Sequence, residues 1–360
     1  MTYQFFKKNI PLVFLFIFNV LIITPIHAET DPGIPNYQIS TGAINSCAID
    51  DSGVACWGNN NWNQLDIPAL SNPMKVSVGN GFICALDDTG VVCWGYNDYG
   101  ETSVPSLSNP TQISAGAHTA CAIDDTGVVC WGQNVNSTLQ PPGLLNPTQI
   151  ALGSISGHAC AIFNDDVVCW GFNSQGQTVV PSLSNPTQIS VNNTHTCALD
   201  DTGVVCWGDN TYGEIDVPNL SNPTQISTGK HHNCAIDDTG VVCWGRNANG
   251  QINVPNLSIQ AIQISAGMNH SCALYETGVL CWGSDSFGES SEPNLTFAQL
   301  PTGNSSCGTA TYSADGSLHI PFVSVPDVFG GTILYEVDMM LQPSNSSSLN
   351  FEVTRAQPVN

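Results

Sequence analysis

The sequence predicts an all-β protein made of seven repeated small sheets and a C-terminal β module. Three observations predict it. Fourteen of the fifteen cysteines fall into seven equally spaced pairs. Each pair brackets a strand–turn–strand phrase, and after about residue 303 the repeats give way to segments of alternating polarity.

The chain opens with Lys7 and Lys8, then an apolar run from Ile10 to Ile26, then Ile26-His27-Ala28. A basic start, an apolar centre and a small residue at the end describe a secretory signal, residues 1–28, cut after Ala28; an uncleaved anchor is the alternative. No cysteine lies near the cut to suggest a lipoprotein, and no later apolar run is long enough to span a bilayer. Without the signal, four basic residues face 29 acids, a net charge of −25. Such a surface repels nucleic acid and anionic lipid. It suits a cationic partner, divalent ions or solubility in a salty medium.

The repeat follows. "CAIDDTGVVCWG" stands at Cys121–Gly132 and again at Cys234–Gly245. The seven pairs are Cys47/Cys56, Cys84/Cys93, Cys121/Cys130, Cys160/Cys169, Cys197/Cys206, Cys234/Cys243 and Cys272/Cys281, and successive pairs begin 37 to 39 residues apart. Trp-Gly follows every second cysteine, and a proline (Pro68 to Pro293) lies twelve residues after it. Seven copies at this period indicate a propeller or a solenoid.

"CAI" and "VVCWG" have strand composition and "DDTG" is turn chemistry, so each phrase is a β-hairpin. A four-residue loop with Gly127 left-handed suits it better than a two-residue primed turn. Either loop sets Cys121 opposite Cys130, Ala122 opposite Val129 and Ile123 opposite Val128. Opposed residues have Cα atoms about 4.5–5.5 Å apart, which a disulfide accepts. With an export signal present, the fourteen cysteines are expected to form seven cross-strand disulfides. Buried free thiols and metal ligation are the alternatives; the spacing lacks a Cys-x-x-Cys knuckle. Cys121, Ile123, Val128 and Cys130 share one face and Ala122, Val129 and Trp131 the other, so each hairpin is apolar on both sides and needs a neighbour on each. "PTQIS" before the hairpin and the stretch ending "SVP" after it are expected to supply the remaining strands.

The combination "aG-x-H-t-C-A-L-d-d-t-G-v-v-C-W-G-x-N-x-x-G-x-x-x-V-P" resembles the repeats of the regulator of chromosome condensation family. The resemblance covers about residues 36–303 and implies a seven-bladed β-propeller. The short units and the "GETSVP" and "GQTVVP" phrases are most similar to secreted bacterial members, such as the propeller that inhibits β-lactamases. The family is a scaffold for protein binding with varied partners, so the resemblance specifies fold more than function.

Strand direction sorts the loops onto two faces. One carries the acidic tips Asp50-Asp51, Asp87-Asp88, Asp124-Asp125, Asp165-Asp166, Asp200-Asp201 and Asp237-Asp238, with Glu276 in the seventh unit, and the "LSNP" turns. A ring of carboxylates could hold calcium; the plainer reading is solvated turns in which Asp stabilises its own backbone. The other face carries the loops after Trp-Gly. Asn recurs there four residues after the second cysteine (Asn60, Asn97, Asn134, Asn173, Asn210, Asn247; Asp285 in the last unit), with Gly three residues on in five units. Both types tolerate positive φ and are read as turn residues. Between them the copies differ: Trp62, Tyr96, Asp98, Tyr99, Phe172, Tyr212, Arg246 and Phe287. Fixed scaffold positions with varied, aromatic loop tips are what a protein-recognition surface needs; surface aromatics covering blade edges are the alternative.

His118, His158, His195, His231, His232 and His270 precede the first cysteines, but equivalent positions of a seven-fold disc lie spread around it, so a structural role is expected and no metal or other cofactor. No Gly-x-Ser-x-Gly, His-Glu-x-x-His or phosphate-binding glycine loop occurs, so no enzyme is expected. The units leave no room for the wedge insertion through which the nuclear family member exchanges nucleotide on a small GTPase, and an exported chain would not meet one.

In the tail, residues 304–360, Cys307 has no partner in the pattern. Ser317–Ser324, Thr332–Leu341 and Leu349–Thr354 alternate as strands, with Ile333, Tyr335, Val337, Met339 and Leu341 on one face, as in the small β modules that end exported bacterial proteins. The sequence as a whole predicts a secreted or periplasmic propeller that binds an extracellular or periplasmic protein, inhibition of a secreted enzyme being the most concrete form. The alternative is a calcium-dependent structural or adhesive cell-surface protein.

Overall fold

The structure, a computed structural model, describes residues 37–154, 157–256 and 260–297 and four strands between 311 and 358. The chain divides into two compact units, 1–297 and 298–360. The expected signal, residues 1–28, and Cys307 lie outside the described residues.

The first unit is seven three-stranded antiparallel sheets in chain order, the blades of a propeller. Blade 3 represents them, with strands Gln112–Ala115, Thr119–Asp124 and Gly127–Gly132. Its hairpin pairs Cys121 with Cys130, Ala122 with Val129 and Ile123 with Val128, the expected register. The loop is tighter than a four-residue one: Asp124 still pairs with Gly127, only Asp125 and Thr126 form the tip, and Gly127 takes φ 115°. That backbone conformation favours glycine.

All seven expected disulfides are present: Cys47–Cys56, Cys84–Cys93, Cys121–Cys130, Cys160–Cys169, Cys197–Cys206, Cys234–Cys243 and Cys272–Cys281. They differ from the sequence expectation in two respects. Their Cα atoms lie 4.0–4.1 Å apart, closer than the expected spacing of opposed residues. The two cysteines of a pair are also not equally covered. The first of each pair is on the central strand and buried. The second is on the third, edge strand, and Cys56, Cys93, Cys130, Cys169, Cys206 and Cys243 are only half-buried; Cys281 alone of the seven is buried, at 8% exposure. An edge strand has a strand partner on one side only, so its side chains keep more contact with solvent than those of the central strand.

Each hairpin has two apolar faces because it has two neighbours. Phe82, Cys84 and Leu86 of blade 2 pack against Ile113, Ala115, Ala120, Ala122 and Trp131 of blade 3. On its other side, blade 3 sets Cys121 and Ile123 against Ile150, Leu152, Ala159 and Ala161 of blade 4. The half-buried cysteines flank these layers, Cys93 beside the first and Cys130 beside the second. The core is thus seven similar layers between blades.

"QIS" recurs for a reason of hydrogen bonding. A sheet edge buried against a neighbour must satisfy its N–H groups. Gln112 Oε1 accepts from Ile150 N at 2.7 Å and Ser114 Oγ from Leu152 N at 3.0 Å, so each inner strand uses two side chains to satisfy the next. In blade 2 Lys75 replaces the glutamine; its ammonium donates to Thr111 O at 3.0 Å, and burial lowers its pKa.

The stretch ending "SVP" is not the expected further strand. Pro105 and its equivalents have no N–H for a ladder, and Asn109, at φ 50°, turns the chain onto the next hairpin tip. There Ser108 N donates to Asp124 Oδ2 and Asp125 N to Ser108 O, each at 2.9 Å.

The same contacts close the ring. Ile39 N donates to Gln263 Oε1 at 2.7 Å and Thr41 N to Ser265 Oγ at 3.0 Å. Thr296 N donates to Asp50 Oδ2 at 2.8 Å, and Tyr37 meets Phe297 edge to face. Blade 1 therefore bonds blade 7 as it bonds blade 2. A solenoid is excluded.

The second unit is a four-stranded antiparallel sheet of Thr311–Tyr312, Ser317–Pro326, Thr332–Gln342 and Asn350–Pro358, paired in chain order. Its last three strands coincide with the alternating segments of the sequence and run slightly longer. Register shifts interrupt the two long pairings at Ile320/Val323 and Asp338/Met339.

Candidate functional site

The loops after Trp-Gly share one construction. Asn97 Oδ1 accepts from Thr102 N at 2.9 Å, Asn210 Oδ1 from Ile215 N at 3.1 Å, and Asp285 Oδ1 from Ser290 N at 3.0 Å. The asparagine thus holds its loop through its side chain, not through a positive φ as expected from the sequence. The following glycines do take positive φ, 86° at Gly100 and 82° at Gly213.

Not anticipated from the sequence is the residue eight positions after the second cysteine: Gln64, Glu101, Thr138, Gln177, Glu214, Gln251 and Glu289. All seven are buried. In six of them the side chain accepts the N–H two residues earlier, as Glu101 Oε2 does from Tyr99 N at 3.0 Å. The main-chain carbonyl at this position accepts the next blade's indole: Trp94 Nε1 to Gln64 O and Trp131 Nε1 to Glu101 O, both 2.9 Å. The recurrent Gly-Gln and Gly-Glu after "WGxNxx" was the available signal.

On this frame the variable side chains form two groups. Trp62, Tyr96 and Tyr99 adjoin one another across blades 1 and 2, with ring centroids 5.4 Å and 6.1 Å apart. His118 of blade 3 completes the group, 5.6 Å from Tyr96 and 5.4 Å from Tyr99. Trp62 is 42% exposed and Tyr99 49%. Gly81 makes room for Trp62: at φ 86°, a Cβ there would lie 2.9 Å from the indole. Asp98 is exposed beside the group. Burial and then the Asp98 carboxylate push the Tyr96 hydroxyl up to about 12.

The second group lies at blades 5 and 6. Tyr212 packs on His231 at 5.0 Å, and the Arg246 guanidinium sits 5.3 Å above the Tyr212 ring. His118 Nδ1 and His231 Nδ1 are each 3.0 Å from a buried carboxylate, Glu101 and Glu214. Phe172, half-buried, and Phe287, exposed, stand on blades 4 and 7, outside both groups.

Asp209, Glu214 and His231 bring ligand atoms within 4.8 Å of one another. Their oxygens are already engaged: Glu214 by His231 and Tyr212 N, Asp209 by Thr211 and Thr194. Of the six histidines that precede the first cysteines, the other four are fully buried, and each reaches the next blade. His158 Nε2 is 3.0 Å from Thr196 Oγ1, His195 Nε2 2.7 Å from Asn233 Oδ1, and His232 and His270 each 2.9 Å from a serine, Ser271 and Ser46. These four stand at one equivalent position in blades 4 to 7, one to a blade.

On the opposite face the first aspartate of a tip is a clamp. Asp124 is buried; Oδ1 accepts from Thr126 N and Oγ1 at 2.8 and 2.6 Å, and Oδ2 from Ser108 N. Asp50, Asp87, Asp200 and Asp237 repeat the pattern. Burial alone would raise these carboxyls; the hydrogen bonds outweigh it and hold them below the usual range. Blade 4 differs: Asn164 and Asp165 form the tip at φ 50° and 61°, and Phe163 takes the clamp position.

The model of the regulator of chromosome condensation (RCC1) repeat matches residues 75–101, 111–137, 187–214, 224–251 and 261–289. None of the curated proteins compared matches the chain. Among solved structures it is similar to the ectodomain of the Physcomitrella patens receptor kinase CR4, at 24% identity and TM-score 0.58 over 68% of this chain and 72% of that one. It is similar also to the CRINKLY WD40 ectodomain of the Arabidopsis thaliana receptor kinase ACR4, at 23% and 0.58 over 72% and 98%. Prp20p from Saccharomyces cerevisiae, whose binding to Gsp1p and histones is known, matches at 17% and 0.58 over 66% and 81%. At these identities the likeness is one of fold.

Proposed function

Because the chain is a propeller built of regulator of chromosome condensation repeats, we propose that it is an exported binding protein that recognises another protein through the loop face bearing Trp62, Tyr96 and Tyr99. The observation that carries this reading is the aromatic group itself: large, amphipathic rings left partly open on loops that buried Gln64 and Glu101 hold rigid. Rigid aromatic anchors supply contact area at low entropic cost, which is why they dominate protein interfaces. Seven disulfides and the two ectodomain neighbours support an oxidising, extracellular or periplasmic setting. That Prp20p binds proteins supports the choice of a protein as partner. Blocking a secreted enzyme is the most concrete form of this function, since a pre-ordered surface of this kind can bind tightly without rearranging.

The test is capture by the immobilised full-length exported chain from the medium and periplasm of its own source. A protein retained by the wild type, and lost with Trp62→Ala and Tyr99→Ala at unchanged melting temperature, is the expected result. Retention that both variants leave intact would overturn the reading.

A further inference from the structure

The two side-chain groups on the loop face share one arrangement three blades apart, and they differ in what lies over and beside the tyrosine. Tyr99 and Tyr212 hold the same place in their loops, each donating its N–H to the buried Glu two residues on, at 3.0 and 2.7 Å. Each ring packs against a histidine of the following blade, at 5.4 and 5.0 Å. Each of those histidines is 3.0 Å from that same Glu. The residue fifteen positions after the histidine donates its N–H to the histidine carbonyl in both copies: Gln133 to His118 at 2.7 Å, Arg246 to His231 at 2.8 Å. In the second copy that residue is arginine, and its guanidinium covers the tyrosine at 5.3 Å. In the first it is glutamine, and Tyr96 and Trp62 extend the aromatic surface; the two tyrosines themselves are similarly exposed, Tyr99 at 49% and Tyr212 at 47%.

We propose that the Trp62–Tyr96–Tyr99 surface takes an arginine side chain from the partner protein, in the place that Arg246 fills internally over Tyr212. The inference deepens the protein-binding reading above and rests on it. A guanidinium is attracted by aromatic faces and stacks flat on them. Asp98 stands exposed beside the rings; its carboxylate accepts from the Tyr96 hydroxyl and supplies a negative charge with which a guanidinium can pair. The whole chain points the same way: only Lys75, Lys230, Arg246 and Arg355 offset 29 acids after residue 28. A cationic segment is drawn to such a surface, and an acidic one is repelled.

The probe is a blocked pentapeptide with a central arginine, beside its lysine and citrulline counterparts, titrated into the full exported chain with aromatic carbons labelled for NMR. The arginine peptide should shift the Trp62, Tyr96 and Tyr99 rings with a dissociation constant in the millimolar range, about fivefold or more below that of the uncharged citrulline peptide. Tyr99→Ala should abolish the shifts and Tyr212→Ala leave them. Gln133→Arg, which installs the internal guanidinium, should weaken the peptide about tenfold without lowering the melting temperature. Equal response to arginine and citrulline, no response up to about 10 mM, or indifference to Gln133→Arg would overturn the inference. A lysine peptide that binds as tightly would replace guanidinium by cation in general and overturn it too. If partner capture survives Gln133→Arg but not Tyr99→Ala, the arginine site fails while protein binding stands.

Discussion

The indole Nε1 of Trp57 donates to the carbonyl of Glu289, 232 residues further along the chain, at 3.1 Å. The bond is the seventh of a set whose other six join consecutive blades, Trp131 to Glu101 among them. If closure is one of seven equal seams, Trp57→Phe and Trp131→Phe should cost the same, about 1–3 kcal/mol or more each, since each leaves a buried carbonyl without its donor and a void where the indole was. For a unit of this size each kcal/mol lowers the melting temperature by about 2–4 °C. Calorimetry checks it. A cost at Trp131 with none at Trp57 would mean that the ring does not close in solution.

Every disulfide joins neighbouring strands of one hairpin, nine positions apart. Each closes a loop of roughly ten residues and should contribute about 2–3 kcal/mol, so reduction should unfold the propeller under conditions the oxidised protein survives. Of fifteen cysteines, alkylation of the unreduced, denatured chain should find at most one free thiol, and peptide mapping only links within a repeat. Links between repeats would contradict the register of the hairpins.

Acid should weaken the protein in two stages. Burial holds His158 and His232 at about 3 and His270 at about 4, and it lowers His195 as well. Unfolded histidine titrates near 6.5. Between those values the unfolded chain binds protons that the folded chain refuses, so stability is full above about pH 6.5 and falls below it, by up to about 1.4 kcal/mol per pH unit for each histidine. The clamp aspartates add a second loss. Their pKa values lie below the ordinary carboxylate value, so their contribution is present above about pH 4 and disappears as pH falls through the folded values. Urea midpoints measured from about pH 8 down to pH 4 should decline from about 6.5, and His232→Gln should remove about a quarter of that first slope. A flat profile to pH 5 would contradict the burial of these four histidines.

The hairpins, their register and the seven-fold count were legible because they are local. Nine-residue spacing fixes which cysteines oppose each other, and alternation along Cys121 to Ile123 fixes the two faces. What stayed hidden is what one repeat does for the next. Nothing near Gln112 or Ser114 says that they serve the N–H groups of Ile150 and Leu152. Nothing near Glu101 says that its carbonyl receives Trp131. Alternation treats Cys121 and Cys130 alike, and only their places on a central and an edge strand make one buried and the other half-buried. Composition marked "SVP" as extended, but its proline and the left-handed Asn109 make it a turn onto the neighbouring tip. The aromatic loop residues were visible singly; that Trp62, Tyr96 and Tyr99 meet while Phe172 and Phe287 stand apart depends on blade geometry.

The acidic tips give the contrast between clamp and surface. Asp124 accepts three hydrogen bonds with both oxygens while buried, whereas Asp125 is exposed and accepts from Asn109 Nδ2 at 2.6 Å and Ser108 Oγ at 3.0 Å. Asp124→Ala should cost about 2–3 kcal/mol, since it strands the N–H groups of Thr126 and Ser108, and Asp125→Ala less than about 1 kcal/mol. The same engagement bears on calcium. An ion at the tips would need oxygens that Asp124 and its equivalents have committed to the backbone, and a bound ion would stabilise the fold in proportion to its affinity. Melting in about 1 mM calcium and in chelator should therefore agree within about 1 °C. A calcium-dependent rise of several degrees, abolished by Asp125→Ala and its equivalents, would instead favour an adhesive role for this face over the aromatic one.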